Sequence, residues 1–355
     1  MTRRLAEVAK YVGVSEATVS RVLNGKPGIS EATRAAVLTA LDVLGYERPT
    51  KLRGERARLV GLVLPELQNP IFPAFADVVA GTLAIRGFTP VLCTRTAEGV
   101  SESDYVDMLL DQHVSGVIFA GGLYAQADSD HDHYFRLHER GLPAVLVNAA
   151  IEHLGFARVA TDDAHAVDRA YQHLVSLGHE RIGLVLGPAD HVPSHRKRGA
   201  FLKRIGAGPD DPEVAERTIY SMDFSMEGGH AAAGALVKRG MTGLICASDV
   251  LALGAIRAVR RLGLSVPDDV SVVGFDDSNL MNCTDPPLTT VRQPIEAMGQ
   301  AAVALLVSQI AGNPVPADEM LFDPELVVRG STGAAPSGNR AERVTAQVGA
   351  DGAAS

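Results

Sequence analysis

The chain has 355 residues, 46% of them hydrophobic, and a formal net charge of −9; the length exceeds one ordinary domain and predicts two or three, and the apolar content is ample for large cores. Charge is split by position: residues 1–58 carry 11 basic against 6 acidic side chains, net +5, and residues 59–355 carry 22 against 36, net −14. Three scattered cysteines, Cys93, Cys246 and Cys283, exclude a disulfide framework or paired-cysteine zinc site and fit a reducing compartment; Glu7 and Lys10 break any signal-peptide apolar stretch after Arg3-Arg4, and no run of about 18 apolar residues crosses a membrane.

A basic front end is drawn to phosphates while an acidic remainder is repelled, and the front end has a matching pattern. Leu5, Val8, Ala9 and Val12 form one apolar stripe at helical spacing that ends at Gly13, a residue free to take a positive φ. Ser15 is a good N-cap for a second helix that buries Val19, Val22 and Leu23 and leaves Glu16, Ala17, Thr18, Ser20 and Arg21 exposed or marginal, with Asn24-Gly25 as its stop. Ser30 then caps a third helix with Val37, Leu38, Leu41 and Leu44 inward and Gly45 as its end. Two short helices broken at a glycine read as a helix-turn-helix, which sets one helix in the DNA major groove. Residues 47–58 (ERPTKLRGERAR) are polar and basic, with Pro49 and Gly54, and form a domain boundary. Arg48, Lys51, Arg53, Arg56 and Arg58 suit phosphates better than bases.

From Leu59 onward short apolar runs alternate with amphipathic stretches: Leu59–Leu64, Thr89–Cys93, Gly116–Phe119, Ala144–Val147, Ile182–Leu186, Leu244–Cys246 and Val270–Gly274. Such runs spaced by helices predict parallel sheets covered on both faces. Val60-Gly61-Leu62-Val63-Leu64 is echoed by Ile182-Gly183-Leu184-Val185-Leu186, so each run starts one doubly wound subdomain. Ligands bind at the carboxyl ends of such strands, and two facing subdomains make one cleft. The Ala-, Gly- and Ser-rich tail over 333–355 is expected to be disordered, and it has no leucine heptads.

The run VAKYVGVSEATVSRVLNG, with the third helix ending at Leu44-Gly45-Tyr46, resembles the headpiece of lactose-repressor (LacI/GalR) family transcription regulators. The resemblance extends over residues 3–332 through Ser248-Asp249, Gly254, VPDDVSVVGFDD (266–277) and PPLTTVRQP (286–294). It implies an all-α helix-turn-helix headpiece over 1–46, a basic hinge over 47–58, and an α/β effector and dimerisation domain over 59–332 similar to periplasmic sugar-binding proteins. The first subdomain would comprise 59–160 and 289–321 and the second 161–288 and 322–332. The implied function is a cytoplasmic repressor that binds a near-palindromic DNA operator as a homodimer, controlled by a small-molecule effector, most simply a sugar or sugar derivative, although a nucleobase would use similar groups. No cofactor is implied. The linker is three residues shorter than the family's pattern and lacks its Pro-Asn and Ala-Arg pairs.

Family base-reading positions map to Glu16, Ala17 and Arg21. Arg21 suits guanine, Glu16 suits cytosine N4 and Ala17 suits a thymine methyl, although Glu16 is equally placed to stabilise its own helix start. Ser15, Thr18, Ser20 and Asn24 would hold the DNA backbone, and Leu52, Lys51 and Arg53 the minor groove; the resemblance makes Leu52 an apolar wedge at a minor-groove step, and the equal alternative is a residue packed against a dimer mate or the core. For the effector, the resemblance points to Asp276, Asp162 and Phe224. His195 to Phe201 offers either Lys197 or Arg196, depending on the anchor. Asn148 and Ser248 end strands, where helix or loop capping competes with ligand binding. Phe72 and Tyr124 follow strands, and Gln293 lies in a crossing segment. The cluster Asp128 to His133, with His138, has metal-ligating groups but no standard spacing and reads as an exposed loop before a helix. A transport receptor is a competing reading, but it needs a signal peptide and has no use for a helix-turn-helix. A doubly wound enzyme is another, but there is no Gly-rich dinucleotide loop, phosphate-binding G-x-x-x-x-G-K-[ST] or G-x-S-x-G elbow, so no catalytic residue is expected.

Overall fold

Apolar stripes at helical spacing build the amino-terminal unit. The computed structural model describes residues 2–23, 26, 28–44, 58–95, 99–148, 150, 154–208, 211–316 and 318–337, and the chain divides into two compact units at Arg58/Leu59. In the first unit α1 (Thr2–Val12), α2 (Glu16–Leu23) and α3 (Glu31–Val43) share a small core of Val8, Ala9, Val19, Val22, Val37, Ala40 and Leu41. Gly13 sits at φ +75° between α1 and α2, a left-handed conformation that an L side chain resists. Its N–H and that of Val14 both donate to the Ala9 carbonyl, at 2.9 and 3.0 Å. The Ser15 hydroxyl accepts the Thr18 N–H at 3.1 Å, and Ser30 does the same for Thr33 at 3.2 Å. Each satisfies a donor that the helix start leaves open. Of the hinge 47–58 only Arg58 lies within the described residues, and it is the first residue of a strand rather than linker.

The second unit contains two six-stranded sheets. The first runs β11-β5-β4-β3-β1-β2, from β1 (Arg58–Leu64), β2 (Phe88–Thr94), β3 (Gly116–Phe119), β4 (Ala144–Val147), β5 (Ala157–Thr161) and β11 (Glu319–Phe322). The second runs β12-β10-β9-β8-β6-β7, from β6 (Ile182–Leu186), β7 (Ile219–Ser221), β8 (Gly243–Cys246), β9 (Ser271–Asp276), β10 (Thr289–Arg292) and β12 (Glu325–Val327). The strands that echo each other in sequence, β1 and β6, occupy equivalent places in the two orders. β11 joins β5 in parallel, whereas β12 joins β10 antiparallel.

Alternation along β1 shows why the run is continuously apolar. Val60, Leu62 and Leu64 enter the core under α4 (Ile71–Ile85) and α12 (Ile295–Ile310), while Leu59 and Val63 enter the core on the opposite face, with α5 (Glu102–Asp111) and α6 (Asp132–Glu139). Both faces are buried, so both parities must be hydrophobic. The second sheet is covered by α7 (Asp163–Ser176), α8 (Val192–Arg204), α10 (Met226–Lys238) and α11 (Asp249–Arg261), with the short α9 (Pro212–Thr218) beside β7. α10 and α11 touch backbone to backbone, because a methyl on Gly254 would overlap the Met226 carbonyl.

The chain crosses between sheets three times: after β5, after β10 and between β11 and β12. The expected crossing near 289 is corrected: residues 289–292 are strand β10 of the second sheet, paired with β9 from Thr289↔Val273 to Arg292↔Asp276, and the crossing falls at Gln293-Pro294. β9 likewise continues two residues beyond its expected end at Gly274, through Asp276. Residues 333–335, expected to belong to the disordered tail, are instead held by hydrogen bonds. Gly333 N–H donates to Ser271 Oγ at 3.0 Å and Ala335 N–H to the Leu177 carbonyl at 2.8 Å; residues 338–355 lie outside the described residues. Among the described residues no helix is long and apolar enough to cross a membrane.

Candidate nucleic-acid interface and effector cleft

The phase of α2 separates its two faces. Val19 and Val22 are fully buried, and Glu16, Ala17 and Arg21 are exposed. These three share the face away from the core, which is the geometry groove reading requires. Thr18 and Ser20 are half-buried. Ser15 and Thr18 are engaged with each other, their hydroxyls 2.9 Å apart, so capping is their first role. Asn24, Lys51, Leu52 and Arg53 lie outside the described residues.

The second unit holds a cavity of about 260 Å³ between the carboxyl ends of its two sheets. From the first sheet come Glu66, Asn69, Phe72, Arg95, Gly121, Gly122, Gln126 and Asn148; from the second come Asp163, His191, Lys197, Phe224, Ser248 and Asp276, with Thr161 and Gln293 at the crossings. Asp276 is 4% exposed and sits at φ +122°, followed by Asp277 at φ +57°. Two consecutive non-glycine residues there cost about 1–3 kcal/mol each and persist only when neighbours hold them. The neighbours are explicit. Asp277 pairs with Arg292 at 2.7 Å and Arg329 at 2.6 Å. The buried Asp249 carboxylate accepts the Ser278 N–H and hydroxyl at 2.8 and 2.7 Å and the Thr290 hydroxyl at 2.6 Å.

Asp276 accepts from Gln293 Nε2 at 2.7 Å and from Asn69 Nδ2 at 3.4 Å. Its carboxyl is held well above the usual range, first by burial and then by the charge of Asp249; Asp249 is itself raised to about 6, chiefly by burial. Lys197, 5% exposed, is ion-paired to Asp163, and its ammonium lies 4.1 Å from the centre of the Phe275 ring. Burial raises the Asp163 carboxyl in spite of that ammonium. His191 packs edge-on against Phe224 at 5.5 Å, and burial, followed by the Lys197 charge, lowers its imidazole to about 4. A methyl on Gly187 would overlap the Phe224 ring, so glycine there is what admits the ring.

Asp276, Lys197, Phe224, Asn148, Ser248, Phe72 and Gln293 thus converge on one cavity. Ser248 also caps α11 through the Leu251 N–H at 3.2 Å, so both readings of that residue meet in one side chain. Three expected effector residues do not line the cavity. Asp162 caps α7, accepting the His165 N–H at 3.0 Å, and it is the next residue, Asp163, that reaches the cavity. Arg196 turns to Glu319 of β11 at 2.8 Å, which fixes the register of the basic run on Lys197. Tyr124 is fully buried, its hydroxyl donating to the Val147 carbonyl and accepting the Gly121 N–H at 2.5 Å. It supports the cavity wall from behind.

The Asp128–His133 run is only in part an exposed loop. His133 is buried against Glu102 at 3.2 Å, and the His131 ring lies 2.9 Å from the Leu123 carbonyl. Sequence reasoning did not reach Glu66, Asn69, Arg95, Gln126, Thr161, Asp163 or His191. Asn69-Pro70, directly before a helix start after β1, and the acidic pair 162–163 were the available signals; His191 and Gln126 carried none.

Residues 4–49 match the family described as bacterial regulatory proteins, lacI family, and residues 171–332 match the periplasmic binding protein-like domain. The chain is 54% identical over 339 residues to the HTH-type transcriptional regulator reg1 of Streptomyces lividans, covering 95% of this chain and 98% of that protein. It is 53% identical over 338 residues to the HTH-type transcriptional regulator MalR of Streptomyces coelicolor, covering 95% and 98%. Among solved structures it is similar to a transcriptional regulator CelR–cellobiose complex, with a TM-score of 0.68, 32% identity and coverage of 92% and 99%. A lac repressor dimer bound to operator and the anti-inducer ONPF has a TM-score of 0.68, 28% identity and coverage of 92% and 98%. A helix-turn-helix unit followed by two doubly wound sheets around a ligand cleft defines the class of ligand-responsive DNA-binding regulators. The chain belongs to the lacI family of bacterial regulatory proteins.

Proposed function

We propose that the protein is a homodimeric transcriptional repressor that reads a near-palindromic operator with α2 and changes its grip when a sugar enters the cleft. The observation that carries the reading is one chain holding both an exposed Glu16–Ala17–Arg21 face and a cavity lined by Asp276, Gln293, Phe224 and Asn148. A helix of eight residues reaches few bases, so specificity needs two heads on half-sites about one helical turn apart. A carboxylate, amides and an aromatic ring are the groups that take sugar hydroxyls and the apolar face of a sugar ring. The cellobiose bound by the similar CelR structure fits that chemistry. The ligand acts by binding one arrangement of the two lobes more tightly than another. This is a non-enzymatic role in the cytoplasm, in keeping with regulator relatives.

The experiment selects operator from random DNA with the full chain, then repeats binding with a panel of sugars. A symmetric site whose affinity a sugar changes supports the reading. Arg21→Ala should cost about 1–3 kcal/mol and relax preference at one base pair. Binding no better than to bulk DNA, or an affinity no sugar moves, overturns it.

A further inference from the structure

We propose that the second lobe carries a further ligand site, a groove of three arginines at the amino ends of its strands, that takes a small phosphate monoester with an apolar body. The site lies apart from the effector cleft and does not depend on what the cleft binds.

The groove has a volume of about 520 Å³, against about 260 Å³ for the cleft cavity. It is built where Arg181 leads into β6, where α9 ends at Arg217 and Thr218, and where Arg239 and Met241 lie between α10 and β8. The cleft residues Pro188 and Ala247 follow the other ends of β6 and β8. The two sites therefore stand at opposite ends of the same strands, and both can be filled at once.

Three cations from three separate segments meet in this groove, and none is neutralised. Arg181, Arg217 and Arg239 are exposed and line it together. The Arg239 guanidinium donates to the Glu216 carbonyl at 2.5 Å and lies 5.6 Å from the centre of the Tyr220 ring, contacts that orient it and leave its charge in place. Arg181 reaches the same turn, with Nη1 3.2 Å from where a methyl on Gly240 would stand, one residue after Arg239. Among the described residues neither Arg181 nor Arg217 has an ion-pair partner. Elsewhere in the lobe Arg196, Arg204, Arg260, Arg292 and Arg329 each hold a carboxylate at 2.6–3.3 Å. The two acids of the groove do not play that part here. Asp211 is committed to α9, its carboxylate accepting the Val214 N–H at 3.1 Å, and Glu180 is exposed and pairs with none of the three arginines.

Unpaired cations gathered on an acidic body attract an anion. A guanidinium matches carboxylate and phosphate oxygens through parallel N–H···O bonds, and three of them exceed what the two oxygens of a carboxylate can use. The three oxygens and near-double charge of a phosphate monoester fit better. The remaining wall decides the rest of the ligand. Ile182, Ile205, Val214 and Met241 line the groove beside Tyr171, apolar surface that a free phosphate ion leaves uncovered and an organic body covers.

The test follows thermal stabilisation and calorimetry of the full chain with phenyl phosphate, inorganic phosphate, phenol and chloride at matched ionic strength. We expect phenyl phosphate to bind about tenfold or more tightly than inorganic phosphate, and phenol to give no stabilisation. Arg181→Gln and Arg217→Gln, both at exposed positions, should each weaken phenyl phosphate about tenfold or more; either suffices should the other not fold. Stabilisation by phenyl phosphate no greater than by chloride overturns the proposal, as does phenol binding equally well or an unchanged affinity in the Arg181→Gln/Arg217→Gln double variant. Loss of binding in Arg95→Gln, with the groove variants unaffected, would place the anion in the cleft and overturn it too.

Discussion

The two lobes of the second unit share a strand order but differ in what they bring to the cleft. The first sheet offers mostly uncharged groups at strand ends, loops and a helix start, Asn69, Phe72, Gln126 and Asn148, with Glu66 and Arg95 as its charged residues. The second offers Asp163, Lys197 and Asp276, all buried, at the start of α7, within α8 and on a strand end bent into positive φ. A buried charge needs partners that do not move. Accordingly the second lobe invests in fixed ion pairs, a braced loop and two helices in backbone contact. One duplicated architecture thus yields one wall that adapts cheaply and one that is set in advance.

That contrast can be broken most directly at Lys197. Lys197→Ala strands Asp163 in the interior and should lower stability by about 3 kcal/mol or more, whereas Asn148→Ala on the other wall should change it by far less; urea unfolding of both variants decides. Next comes Gly254→Ala, whose methyl meets the Met226 carbonyl and should cost about 1–3 kcal/mol by overpacking, seen as a lower Tm.

A third measurement concerns pH. His191 is lowered to about 4, so the folded protein binds fewer protons than the unfolded chain between that value and the ordinary 6.5, and stability is lost as pH falls through the window. Asp249, raised to about 6, has the opposite sign: its contribution is present at low pH and fades as pH rises through 6. The two oppose each other, and His191→Asn should therefore gain about 1–2 kcal/mol at pH 5 relative to pH 7.5 over the wild type. Thermal melts at the two pH values measure it, and equal shifts at both would remove His191 from the account. The smallest effect is Gly81→Ala in α4 of the first lobe, where a methyl meets nothing within 4 Å; a gain of about 0.5–1 kcal/mol follows from helix propensity alone.

The architecture was legible where it repeats. Helical spacing ended by Gly13, and the echo between Val60–Leu64 and Ile182–Leu186, lead to a helix-turn-helix and two like sheets because period and parity are properties of the chain itself. The cleft was legible at strand ends with polar residues, Asp276 and Asn148 among them. It was not legible where two neighbours compete for one role. Asp162 and Asp163 differ only in helix phase, and the helix start takes the first. Arg196 and Lys197 were separated by Glu319, more than a hundred residues later. Tyr124 was misread because its hydroxyl finds backbone partners inside, at Phe119 and Val147. His191 faces the cavity through tertiary packing that no local pattern announces.

Three covalent crossings join the lobes, at 162, 293–294 and 323–324, and the last is fastened by His165 to Asp323 at 2.6 Å. Three parallel straps permit a door-like swing about the line through them and resist twist or sliding. A ligand that pulls the walls together can therefore spend its energy on one motion only, so chemically different guests that close the cleft to the same degree should deliver the same mechanical signal.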